Sequence, residues 1–259
     1  MLVGIFNSED EVAQAAAKKI IDVFDFQPES VLGVATGSTP LPLYRLLREA
    51  YQKGTFSLKE GQAFALDEYV GLPVDHKQSY RYFLVNELVG DDKTGLLDEN
   101  LRTPDGNAPD LADAAIYYDD AVAAAGVDIQ ILGIGSDGHI GFNEPSCSFA
   151  SRTHVGALTA QTRQDNARFF ASIDEVPTQS ITQGLGTIME AGAILLLATG
   201  KNKAKAVKQM VEGPVSARWP ATILQHHPQV FVLVDKDAAS ELELTDYYRQ
   251  NWDSYHRHI

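Results

Sequence analysis

Short, unbroken apolar runs alternate with longer amphipathic stretches along this chain, and most of the runs end in a polar turn. The runs at residues 31–35, 63–66, 194–198 and 230–234 are too short for helices and show no in–out alternation, and the mixed stretch at 128–133, before a Gly-rich loop, reads as a further strand. The runs predict strands buried on both faces. Between them, Ser8-Glu9-Asp10-Glu11 predicts a capping box opening an alanine-rich helix to about residue 26. Pro40 predicts the start of a helix to about residue 51. Further helices are expected at 79–88 and, lysine-rich, from about 201 to 211. Strand–helix alternation of this kind predicts an α/β fold with a doubly wound, mostly parallel sheet and helices on both faces. No linker, repeat or low-complexity tract divides the chain, so residues 1–259 are read as one domain. The most irregular region, 143–182, is polar and carries Pro177; its part from about 145 to 182 is expected to be a lid. In such sheets ligands bind beyond the carboxyl ends of the strands, and every motif below follows a predicted strand.

Composition narrows the function. The 44% share of hydrophobic residues in 259 is ordinary for a globular protein. No apolar run approaches the roughly 18 residues of a membrane span, and the N-terminus lacks the pattern of a signal peptide. The single cysteine, Cys147, permits no internal disulfide. A cytoplasmic location is the simplest expectation. The net charge of −14 disfavours nucleic acid and anionic membranes as partners. It also means that an anionic ligand needs a local cluster of N–H donors and cations.

Two stretches offer such clusters. Thr36-Gly37-Ser38-Thr39-Pro40 joins a strand to a helix, and its hydroxyls and free N–H groups suit an anion. An ordinary capped turn would use the same residues, and no Gly-Lys-Ser/Thr follows, so it is not a Walker A loop. Thr199-Gly200-Lys201-Asn202-Lys203 puts lysines where the helix dipole disfavours them; most of Lys201, Lys203 and Lys205 are expected to be solvated. Gly133-Ile134-Gly135-Ser136-Asp137-Gly138 matches G-x-G-x-x-G by spacing, but Pro145 arrives before a long helix can form, which argues against a dinucleotide site. Ile134 stands where a serine-hydrolase elbow needs glycine.

The same loop places His139 between Asp137 and Glu144. A histidine so flanked is a candidate acid/base; a metal site and a merely hydrogen-bonded loop histidine are the alternatives. Asp67, in Asp67-Glu68-Tyr69 at a strand end, is a candidate base for a proton beside a carbonyl or imine, or else a turn cap. Arg168 is a candidate phosphate clamp. His226, His227, His256 and His258 read as surface residues, and Cys147 has no assigned role.

Taken together, these stretches resemble the glucosamine-6-phosphate deaminases. The resemblance rests on 35–40 (Ala-Thr-Gly-Ser-Thr-Pro), 66–73 (Leu-Asp-Glu-Tyr-Val-Gly-Leu-Pro) and 135–145 (Gly-Ser-Asp-Gly-His-Ile-Gly-Phe-Asn-Glu-Pro). Residues 151–153, 166–170 and 200–204 also fit. It implies a Rossmann-like sheet and an aldose–ketose isomerisation with loss of ammonia, without metal or cofactor. By position, His139 would open the sugar ring, oriented by Asp137 and Glu144. Asp67 would move the C2 proton to C1. Gly37, Ser38, Thr39, Arg168 and Lys203 would hold the 6-phosphate of glucosamine 6-phosphate.

In allosteric members, basic residues just past Ser-Arg-Thr bind an effector, N-acetylglucosamine 6-phosphate. This chain has His154 and Gly156 there, so little or no such activation is expected, and a monomer or small homo-oligomer is favoured over a hexamer. The nearest rival family, 6-phosphogluconolactonase, has a Ser-Leu-Phe-Pro-like continuation where this chain reads Gly141-Phe142-Asn143-Glu144-Pro145. A non-catalytic sugar-phosphate sensor would call for a fused DNA-binding module, for which there is neither room nor basic charge.

Overall fold

A computed structural model describes residues 1–257, without the side chain of His256; the surface readings of His256 and His258 lie outside the described residues. In chain order the elements are β1 (Leu2–Phe6), α1 (Glu9–Phe26), β2 (Val31–Val34), α2 (Leu41–Gln52), β3 (Gln62–Ala65) and β4 (Asp67–Tyr69). There follow α3 (Tyr80–Leu88), β5 (Leu101–Arg102), α4 (Leu111–Ala125), β6 (Ile129–Leu132), β7 (His154–Ala157) and α5 (Ala160–Asn166). The last are β8 (Gln179–Thr182), α6 (Leu185–Ile188), β9 (Ala193–Ala198), α7 (Ala204–Glu212), β10 (Val230–Asp235) and α8 (Thr245–Arg257).

Seven strands form one sheet in the order β1-β10-β9-β6-β2-β3-β5, with every adjacent pair parallel. The apolar runs are central because both faces are covered: all six residues of β9 and all six of β10 are buried. The chain runs outward from β2 through β3 to β5, then returns to β6 on the other side of β2. The crevice between the carboxyl ends of β2 and β6 is therefore the topological switch point, where open sheets of this class bind ligands.

Local signals explain the helices. Ser8 caps α1 by accepting from the Glu11 N–H at 3.3 Å, while the Glu11 carboxylate reaches back to the Asn7 N–H at 2.9 Å. This is the expected capping box, displaced by one residue. Its alanine-rich face, with Val12, Ala16, Ile20 and Phe24, is buried. Pro40 is itself the cap of α2, one residue earlier than a first-turn proline. Lysines 201 and 203 lie in a 3-10 turn, and the helix proper starts at Ala204.

Three expectations change. The alternative of a turn cap at Asp67 does not hold, and Asp67, Glu68 and Tyr69 are more than the end of a strand: they form a strand of a second, antiparallel sheet in the order β4-β8-β7. Residues 145–182 are accordingly not irregular throughout: two strands and α5 lie within them, and β8 brings Thr182 opposite Asp67. His227 is buried rather than at the surface, with Nε2 2.8 Å from the Ala191 carbonyl and Nδ1 accepting from the Gln229 N–H. Among the described residues no helix is long and apolar enough to cross a membrane.

Candidate active site

The loops leaving β2, β3, β6 and β9 converge on one cleft of about 240 Å³ at the switch point, and residues 36–39, Asp67, His139, Arg168 and Lys203 all line it. Asp137 and Glu144 stand behind the imidazole rather than along the cleft wall.

The turn after β2 is held from behind. Tyr44 of α2 is fully buried, and its hydroxyl donates to the Ala35 carbonyl (2.6 Å) and accepts from the Ala35 N–H (3.2 Å). Gly37 adopts a φ of +93°, a left-handed conformation that favours glycine, and a Cβ there would meet open space. The requirement is for backbone conformation, and the turn lies at the start of a 12-residue helix, whose first N–H groups have no partners within the helix.

Asp67 is 6% exposed. Burial, with the like charge of Glu68 second, pushes its carboxyl up to about 8. A base poised near neutrality suits proton abstraction.

The histidine loop closes on itself: the Gly135 N–H donates to the His139 carbonyl (2.9 Å) and the Gly138 N–H to the Gly135 carbonyl (3.0 Å). The imidazole lies so close over Gly135 that a Cβ there would stand 2.3 Å from the ring. Nδ1 is buried and faces both carboxylates, 2.8 Å from Asp137 Oδ1 and 3.6 Å from Glu144 Oε2; neither contact is aligned as a hydrogen bond. Nε2 is left for the cleft. Burial favours the neutral form of Asp137, but the adjacent imidazole outweighs it and holds the carboxyl down at about 2. Glu144 is fixed through its other oxygen, which accepts from the Thr162 hydroxyl (2.5 Å) and the Thr159 N–H (3.3 Å) at the start of α5. The carboxylate thus ties the histidine loop to the segment over the cleft. Behind the loop, Trp219 packs against Gly138, and the Ala221 N–H donates to the Gly138 carbonyl.

Asp137, His139 and Glu144 offer donor atoms within 4.8 Å of one another, a spacing that a cation could bridge. Both carboxylates approach the same ring nitrogen, and that arrangement equally suits orienting a proton on Nδ1.

On the far side of the cleft, Lys203 is largely desolvated, which lowers its proton affinity, and Asp165, Arg168 and Asp137 contribute to its field. The Arg168 guanidinium lies over the Phe169 ring at 4.7 Å. Lys201 is exposed, and Lys205 stands over the Trp219 ring at 5.8 Å. Only Lys203 of the three lines the cleft, in line with most of them being surface charges.

Sequence reasoning missed Thr162, Tyr80 and Gly135 as parts of the site. The Thr159/Thr162 pair carries a readable signal, that of a helix cap, with the Thr162 N–H donating to the Thr159 hydroxyl at 3.1 Å. The seat of an imidazole on Gly135 left no such signal.

Comparison with known proteins places this site in context. Residues 7–232 match the family model described as glucosamine-6-phosphate isomerases/6-phosphogluconolactonase. The glucosamine-6-phosphate deaminase of Beutenbergia cavernae is 52% identical over 254 residues, covering 97% of each chain. That of Arthrobacter sp. (strain FB24) is 50% identical over 255 residues, covering 98% of this chain and 97% of the relative. The solved structure of a monomeric glucosamine-6-phosphate deaminase superposes with a TM-score of 0.88 at 42% identity, over 93% of this chain and 100% of that one. A 6-phosphogluconolactonase from Trypanosoma brucei, at 21% identity and a TM-score of 0.74 over 93% of this chain and 98% of its own, shares the fold.

Proposed function

This chain belongs to the glucosamine-6-phosphate isomerase/6-phosphogluconolactonase family, and we propose that it works there as a glucosamine-6-phosphate deaminase, converting its substrate and water to fructose 6-phosphate and ammonia. The observation that carries this reading is the convergence of a desolvated carboxylate, an imidazole backed by two carboxylates, and a glycine-containing turn of hydroxyls with two cations on one cleft.

The 6-phosphate sits on the N–H groups and hydroxyls of residues 37–39 and between Arg168 and Lys203, a local positive site within a strongly acidic protein. His139, with its Nδ1 proton held toward Asp137 and Glu144, takes the C1 hydroxyl proton at Nε2 and delivers it to the ring oxygen, which opens the pyranose. Asp67 then removes the C2 proton of the open aldehyde, giving an enolamine, and returns it to C1. The product is an imine at C2, which water hydrolyses to the ketone and ammonia. The substrate's C2 ammonium favours the ionised form of Asp67, offsetting its burial. We read the reaction as carried by one domain spanning residues 1–259, needing no metal or cofactor, in the cytoplasm.

The test is ammonia release from glucosamine 6-phosphate by EDTA-treated protein, with fructose 6-phosphate measured in parallel. Equal formation of both supports the deaminase. Activity that needs a restored divalent cation would assign the Asp137–His139–Glu144 cluster to a metal. No turnover from folded protein would send the reading to 6-phosphogluconolactone hydrolysis, and failure there too to binding without catalysis.

Lys203→Ala should raise KM about 10- to 100-fold with a smaller effect on kcat, the size of a lost charge-assisted hydrogen bond; an unchanged KM would place the phosphate elsewhere. His154 and Gly156 lie on the edge strand β7. The His154 ring is held at the Arg152 carbonyl (2.8 Å), and Gly156 has no side chain to offer. We expect little or no activation by N-acetylglucosamine 6-phosphate and a monomer or small homo-oligomer, in keeping with the monomeric state of the solved deaminase. A sigmoidal rate curve made hyperbolic by that effector would contradict this.

A further inference from the structure

Glu68, beside Asp67 in the sequence, points to the opposite side of β4 and has no part in the chemistry above. It is 5% exposed, yet its carboxylate is engaged on both oxygens. Oε1 accepts from the N–H groups of Tyr69 (2.9 Å) and Tyr80 (2.9 Å), and Oε2 from that of Arg81 (2.8 Å). Tyr80 and Arg81 are the first two residues of α3, so the carboxylate satisfies N–H groups that a helix start leaves without helical partners. Tyr80 also lines the catalytic cleft and packs on Tyr69 and Phe142, with ring centroids 4.7 and 6.1 Å away.

We propose that Glu68 is a positioning residue for the reaction: its ionised carboxylate fastens β4, which carries Asp67, to the first turn of α3, and its fixed negative charge sets how readily Asp67 gives up and holds a proton. The inference rests on Asp67 being the base. Burial raises the Glu68 carboxyl above its ordinary value, and three N–H donors and the nearby Arg81 pull it part of the way back. Asp67 has no such donors among the described residues, so Glu68 ionises first and its charge then opposes ionisation of Asp67. The titratable groups otherwise facing the pair are Tyr69 of β4, Tyr80 and Arg81 of α3, and Tyr118 of α4. The residues of β8 opposite β4 are Ser180, Ile181 and Thr182, all neutral.

The experiment is the pH profile of kcat/KM for Glu68→Gln beside that of the unaltered protein. The acid limb should move to lower pH by about half a pH unit or more, because the opposing charge is gone. A folded variant whose limb stays in place overturns the proposal, even if it is slower, since lost structure alone lowers the rate without moving the limb. Should the variant not fold, carboxyl carbon-13 NMR of the unaltered protein decides. Glu68 must titrate below Asp67, and the reverse order overturns the proposal. If Asp67→Asn retains turnover, the base assignment itself has failed, whatever the Glu68 result.

Discussion

Asp67→Asn is expected to lower turnover on the order of 10²- to 10⁴-fold, the contribution of a positioned base, while phosphate-dependent binding persists. The same change should make the protein more stable. The folded protein holds the Asp67 proton up to about pH 8, whereas in the unfolded chain the carboxyl ionises near 3.8. Below 3.8 both states are protonated and the residue contributes no difference. Between 3.8 and 8 the unfolded state loses its proton first, so stability falls as pH rises. Above about 8 the full penalty of burying the charge is in force. It is on the order of 5 kcal/mol. Asparagine carries no charge to bury, so denaturant melts should show the variant's advantage growing from about pH 4 to about pH 8. In the unaltered enzyme, kcat/KM should rise with pH along a limb approaching about 8. Near-normal turnover in the variant would remove Asp67 from the chemistry; a stability difference that does not vary with pH would contradict its buried ionisation.

Gly135→Ala should lower kcat/KM about as far as His139→Gln, on the order of 10²- to 10³-fold. The new methyl group would occupy the place of the imidazole, 2.3 Å from the ring, and the ring must swing away from Asp137 and Glu144. Substrate binding through the phosphate should be spared, because residues 36–39, Arg168 and Lys203 lie on other loops. A Gly135→Ala enzyme with an ordinary kcat/KM would show that the seat of the imidazole on that glycine is dispensable.

Much of this is legible in the sequence because it depends on local chemistry. Runs such as Ile194 to Ala198 admit few roles other than a doubly covered strand, and the cap at Ser8 is written within four residues. The candidate site residues are also legible, since most stand just past an apolar run and such positions converge in a parallel sheet. The second sheet is not. Asp67, Glu68 and Tyr69 are polar or amphipathic, and only their pairing with residues 180–182, on the order of a hundred positions away, makes them a strand. Nor does periodicity reveal that Glu144 is anchored by Thr162, or that Trp219 supports the histidine loop. These are contacts between segments whose own patterns are ordinary in isolation. His227 reads as a surface residue for a related reason: its burial is compensated by a backbone carbonyl from another segment.

Strands β7 and β8 of the small antiparallel sheet clamp both ends of residues 158–178, and Thr182 is hydrogen-bonded into the histidine loop through the Phe142 N–H. The sheet thus holds both ends of a stretch whose inner side, through Thr159, Thr162 and Arg168, belongs to the site itself. Only its outward positions are free to drift in sequence: the segment is a bracket bolted at its ends and keyed along one edge, and changes on the keyed edge should be felt in the chemistry before they are felt in the stability of the fold.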